Sequence, residues 1–120
     1  MKKILLVPSI LLITSLLYAQ AIPTSKFAWD QSAPDLTTVQ AYTYKHYDDN
    51  SATGVAFVGV TCTGTASPFT CVVNIPAYTP GNHSITLSAS NVAGESVKSA
   101  PFAFVFVVTP GSPANIRIQQ

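Results

Sequence analysis

The stretch Pro80-Gly81-Asn82-His83-Ser84-Ile85-Thr86-Leu87-Ser88-Ala89-Ser90 decides the fold class. From His83 onward apolar and polar residues alternate, with Ile85, Leu87 and Ala89 on one side and Ser84, Thr86, Ser88 and Ser90 on the other. Successive strand side chains point to opposite faces, so this period of two predicts a strand with one face on a core and one in water. Pro80-Gly81 interrupts the chain before it, and Asn91-Val92-Ala93-Gly94-Glu95 supplies the next turn.

The same signature repeats outward in both directions. Lys26-Phe27-Ala28-Trp29-Asp30 predicts a first strand, closed by Ser32-Ala33-Pro34-Asp35. Residues 39–47 read as a longer one, with Tyr42, Tyr44 and His46 on one side and Ala41, Thr43, Lys45 and Tyr47 on the other, before a polar turn at Asp48-Asp49-Asn50-Ser51. Strand-like runs cover residues 55–61 and 72–75, and residues 102–108 form a last strand that is apolar on both faces. No window beyond the N-terminal segment carries a helical period. Six or seven short strands between turn signals predict an all-β antiparallel β-sandwich. Its expected core is Trp29, Tyr42, Tyr44, Phe57, Val73, Ile75, Ile85, Leu87, Phe104 and Phe106.

Composition narrows the class further. The 120 residues are 48% hydrophobic and only 9% charged, which disfavours a disordered chain. Lys2 and Lys3 precede an apolar run at residues 4–17, and Ala19-Gln20-Ala21 places small residues where a signal peptidase reads. This is the three-part pattern of a secretory leader, residues 1–21, cleaved after Ala21. The apolar run is shorter than the roughly 20 residues a membrane span needs. Without the leader, Lys26, Lys45, Lys98 and Arg117 face Asp30, Asp35, Asp48, Asp49 and Glu95, a balance suited neither to nucleic acid nor to an anionic membrane. The reading is of an exported chain, secreted or periplasmic, with a domain at residues 22–109 and a Pro/Gly/Ser linker-like tail at 110–120.

Export favours joining the only two cysteines, Cys62 and Cys71, into a disulfide that staples a hairpin near its tip. Free thiols, or a metal or redox site with His46 and His83 as further ligands, are the alternatives.

The run from Pro80-Gly81 through Ala89-Ser90-Asn91 to Gly94-Glu95-Ser96 resembles the penultimate strand and following loop of fibronectin type III domains. Trp29-Asp30 is similar to that family's second strand, and the Tyr42 to Tyr47 run to its tyrosine-containing third strand. The resemblance implies a seven-stranded sandwich that acts through surface contact. His83 stands where the family carries its corner tyrosine, and the cysteine pair is no family feature.

The chemistry inventory is thin. His46 and His83 lack an accompanying nucleophile motif. Asp48 and Asp49 fit no calcium-loop pattern, and Asn82-His83-Ser84 is a glycosylation acceptor only in a eukaryotic secretory host. The expectation is therefore no enzyme, no cofactor and no metal. The expected activity is adhesion, binding or presentation, with a protein or carbohydrate partner at a cell or particle surface. Tyr47, Asp48, Asp49, Asn50, Asn91 and Glu95 form the candidate binding surface. The alternative is a structural building block of a surface or virion assembly, self-associating through residues 102–108 if they lie on a sheet edge. The tail segment Pro113-Ala114-Asn115-Ile116-Arg117-Ile118 resembles the opening strand of a further domain of the same family.

Overall fold

A computed structural model describes residues 18–120; residues 1–17 of the expected leader lie outside the described residues. The fold is nearly all β, in two packed sheets. The larger contains β1 (Ala19–Ala21), β9 (Phe102–Phe106), β7 (Gly81–Asn91), β3 (Thr43–Asp48) and β4 (Val55–Ala56), in that order, with β8 (Gly94–Glu95) also paired to β7. The smaller contains β2 (Lys26–Gln31), β6 (Phe69–Asn74) and β5 (Thr61–Thr63). All pairings are antiparallel except that of β1 with β9.

The alternation at β7 holds: Ile85 is buried, and Leu87 and Ala89 pack against the core from the same face. The core falls into two clusters. One gathers Ala21, Phe27, Val73, Ile85, Phe104 and Phe106; the other gathers Val39, Tyr44, Cys62, Phe69 and Cys71. Of the expected core, Tyr44, Val73, Ile85, Phe104 and Phe106 are buried, while Trp29, Tyr42, Phe57, Ile75 and Leu87 pack half-buried against these clusters. Cys62 and Cys71 stand opposite each other in the β5–β6 register and are joined by a disulfide, a link that an oxidising environment favours. No helix among the described residues is long and apolar enough to cross a membrane.

Two expectations need correction. The strand predicted over residues 39–47 starts only at Thr43, because the chain first makes a short helix, α1 (Leu36–Ala41). Asp35 caps it: its Oδ1 accepts the Thr38 N–H at 2.7 Å, satisfying one of the N–H groups a helix start leaves unpaired. Six residues are too few to show a helical period, and Val39 alone is buried from this element. The run at 55–61 is likewise not one strand. It pairs with β3 at Val55 and Ala56, with the Phe57 N–H also donating to Tyr44 O at 2.8 Å, then bends through Gly59, whose φ of +80° suits a residue without a Cβ. The last strand, β9, runs between β7 and β1 and is a central strand among the described residues.

β1 deserves weight because it consists of the residues expected to leave with the leader. Ala19, Gln20 and Ala21 pair with Phe104, Val105 and Phe106, and the Val107 N–H donates to Ala21 O at 2.8 Å. Cleavage after Ala21 would remove this strand and a buried core alanine.

Candidate functional site

β3 and β7 carry most of the residues of interest, and their register sets where each one lies. Asp48 pairs with Ile85 at one end of the ladder and Thr43 with Ser90 at the other. The β3–β4 turn, with Asp49 and Asn50, therefore sits at the opposite end from the Asn91–Gly94 turn. The six expected surface residues are not one patch: about six residues of strand, roughly 20 Å, separate Asp49 and Asn50 from Asn91.

Asp49 and Asn50 have φ of 51° and 62°, and the Ser51 N–H donates to Asp48 O at 2.9 Å. Positive φ at both central residues makes this a type I′ turn, which Asp and Asn tolerate better than other side-chain-bearing residues. The two carboxylates then act separately. Asp48 accepts from Tyr78 Oη at 2.6 Å and contacts His46 Nδ1 at 2.8 Å, with the His46 ring stacked 4.5 Å from Phe57. Asp49 contacts His83 Nδ1 at 2.9 Å and accepts the Ser84 N–H at 2.9 Å.

His83 Nε2 meets Thr79 O at 2.7 Å, so a protonated ring donates to a carboxylate and a carbonyl at once. The Asp49 hydrogen bond, and next the Thr79 carbonyl, raise the His83 pKa above its usual 6.5. The reciprocal bond from His83, and next the Ser84 N–H, lower that of Asp49. Burial, helped by Asp48, pushes the Tyr78 hydroxyl well up. Together these contacts clamp the β6–β7 connection, where Tyr78 and Thr79 lie, to the end of β3. The sequence marks each residue as polar but carries no signal that they meet.

Tyr47 is the clearest departure from expectation. It is only 8% exposed, lying on the outer face of the larger sheet rather than standing free in solvent. Its hydroxyl donates to Glu95, which also accepts from Ser88 Oγ at 2.5 Å, and Lys98 Nζ lies 4.0 Å from its ring centroid. A Cβ on Gly54 would come within 2.6 Å of the ring, so the absence of a side chain there lets the β3–β4 loop close over it. The hydrogen bonds from Ser88 and then Tyr47 hold the Glu95 carboxyl below its usual value. Glu95 thus fastens β8 to the sheet face.

At the Asn91 end lies an open hollow of about 350 Å³, lined by Gln31, Ser32, Tyr42, Ser90, Asn91 and Glu95 among others. It brings half-buried Tyr42, edge-on to Tyr44, together with amide and hydroxyl groups from three elements. Asn91 Oδ1 is engaged by the Ala93 N–H at 2.9 Å, which rigidifies the rim. Among the described residues no group of three or more His, Cys, Asp or Glu side chains is placed to hold a metal ion. No family model, curated protein or solved structure matches the chain.

Proposed function

We propose that the chain is an exported, non-catalytic fibronectin type III-like module that acts in adhesion, binding or presentation at a surface, through the hollow at its Asn91 end. The carrying observation is that hollow, where an aromatic face, amide and hydroxyl groups and the Glu95 carboxylate converge on a rigid rim. Such a lining suits a carbohydrate or a polar protein loop, whereas the histidines, Asp48 and Asp49 are spent on fastening loops. In support of the family, His83 reaches Thr79 O four residues upstream, the kind of backbone anchorage a corner tyrosine makes.

The test is depletion of the exported chain from solution by insoluble polysaccharides, cell walls and whole cells. Saturable depletion by one material, abolished by Ala93→Trp on the exposed rim, supports the reading; no depletion by any material overturns it.

The structural reading keeps one specific observation in its favour. If the leader leaves after Ala21, β1 goes with it, and the β9 edge from Phe104 to Phe106 loses its strand partner.

A further inference from the structure

The smaller sheet ends in an unpaired strand. β2 is hydrogen-bonded to β6 on one side and to no strand on the other among the described residues. The Ile75 N–H donates to Ser25 O, so in the β2–β6 ladder the hydrogen-bonded pairs continue at Phe27, Trp29 and Gln31. The N–H and C=O groups of Lys26, Ala28 and Asp30 therefore point to the open side. Along this edge runs a groove of about 470 Å³, walled by β2 and by the segment joining β8 to β9, with Phe27, Trp29, Leu87, Val97 and Phe102 among its apolar lining. Val97 is 92% and Phe102 50% exposed, so the far wall presents apolar surface to solvent.

The same chain carries a segment of matching character. Beyond β9 the backbone leaves the sheets through Pro110-Gly111-Ser112-Pro113 into Ala114-Asn115-Ile116-Arg117-Ile118-Gln119. Ile116 and Ile118 are 93% and 87% exposed and lie two residues apart, the spacing that puts both on one face of a strand. Six residues, 114–119, match the six of β2. With the isoleucines turned into the groove, Arg117 faces outward, as do Lys26, Ala28 and Asp30 on β2. Arg117 is the only charge in the tail and Asp30 the only carboxylate on that edge.

We propose that residues 114–119 of one copy add as a strand to the β2 edge of a second copy, seating Ile116 and Ile118 in its groove and Arg117 beside its Asp30. Main-chain hydrogen bonds supply the attachment and alternate side-chain pockets the register, the general logic of strand addition. The occupant is another copy's tail because of where the tail starts. Phe106 pairs with Ala21, and only the Ile22–Ser25 turn separates Ala21 from β2, so the tail departs at the end where β2 begins. Folding back on its own domain would lay it parallel to β2; a tail from a second copy is free to run antiparallel, the more stable ladder. Tail and edge are different surfaces, so the contact is head-to-tail and propagates into chains of copies. It does not rest on the ligand reading, whose hollow adjoins the groove at Gln31, Ala89 and Ser96 but is lined mainly by other residues.

Sedimentation of the exported chain from micromolar to millimolar concentration is the test. Assembly should grow with concentration and slow amide exchange at Lys26, Ala28 and Asp30. Ile116→Asp with Ile118→Asp, outside the folded sheets, should weaken it at least about tenfold through lost apolar burial. Arg117→Asp should weaken it about threefold, and Asp30→Arg should restore it. Ala28→Pro removes an edge N–H while leaving its tail intact. Mixed with the isoleucine double variant, it should form one-to-one dimers, because one supplies the tail and the other the edge. A chain that stays monomeric throughout overturns the proposal, as does a monomer whose own tail is protected from exchange. Undiminished assembly of the isoleucine double variant also overturns it and directs attention to the β9 edge.

Discussion

The two core clusters hold the sandwich together by different means. The cluster around Phe104 is aromatic: Phe27 meets Phe104 edge-on at 5.4 Å, and Tyr78 meets it at 5.1 Å. The cluster around Val39 is smaller and fastened by directional bonds. Its disulfide joins β5 to β6, and the buried Tyr44 hydroxyl donates to Val39 O at 2.7 Å, tying the end of α1 to β3. Burial, and to a lesser extent Tyr42, pushes the Tyr44 hydroxyl up to about 12. The comparison shows two ways in which a small domain secures adjoining parts of one core, which meet at Trp29, Phe57 and Val60. Both clusters pack aromatic rings, but only the one around Val39 adds a covalent link and a buried hydrogen bond to that packing.

Substitutions separate the two means. Phe104→Ala should cost the most, about 3–5 kcal/mol by urea denaturation, because Phe104 is 1% exposed and its neighbours cannot refill the space. A loss under about 1 kcal/mol would show the aromatic cluster to be loosely packed. Replacing Cys62 and Cys71 together by Ala should cost about 2.5–3 kcal/mol, the chain entropy released by opening a loop with a sequence separation of 9. Adding a reductant should lower the midpoint of the wild type and leave that double variant unmoved. Tyr44→Phe leaves the carbonyl at the end of α1 without its partner and should cost about 1.5 kcal/mol, measured in the same way. Asp35→Ala, which uncaps α1, should cost about 1 kcal/mol and raise amide exchange at Thr38.

The smallest expected effect is the pH dependence of the His83–Asp49 clamp, since Asp49 is largely in solvent. His83 is raised, so its contribution is complete below the usual 6.5 and is lost as pH rises through the higher folded value. Asp49 is lowered, so its contribution is present above the usual 3.8 and is lost as pH falls through the lower folded value. Stability of the wild type relative to His83→Gln should therefore fade on the alkaline side of 6.5. A difference that instead grows with pH there would show that the ring is not held by its carboxylate.

Much of the frame was legible because it follows from local alternation. The inward set of β7, the inward Tyr44 and His46 of β3, the polar turn at Asp48-Asp49-Asn50-Ser51 and the stapled hairpin each depend on residues within a few positions of one another. Burial of Tyr47 was not legible, because it depends on Glu95, 48 positions away, and on a glycine that lets a loop close over the ring. The division of the candidate surface between two ends of the sheet was equally hidden, since only the β3–β7 register reveals it. Helix α1 left one trace, an aspartate three residues before the threonine it caps.

By itself, then, the sequence determined an all-β chain with a cysteine pair and alternating strands, because period-two patterning and turn chemistry are written residue by residue. Tertiary structure alone decided which strand ends unpaired, which tyrosine is buried and which polar residues meet. Those outcomes depend on pairings between distant segments, whose free energy is shared among many weak contacts and is carried by no short stretch of the chain.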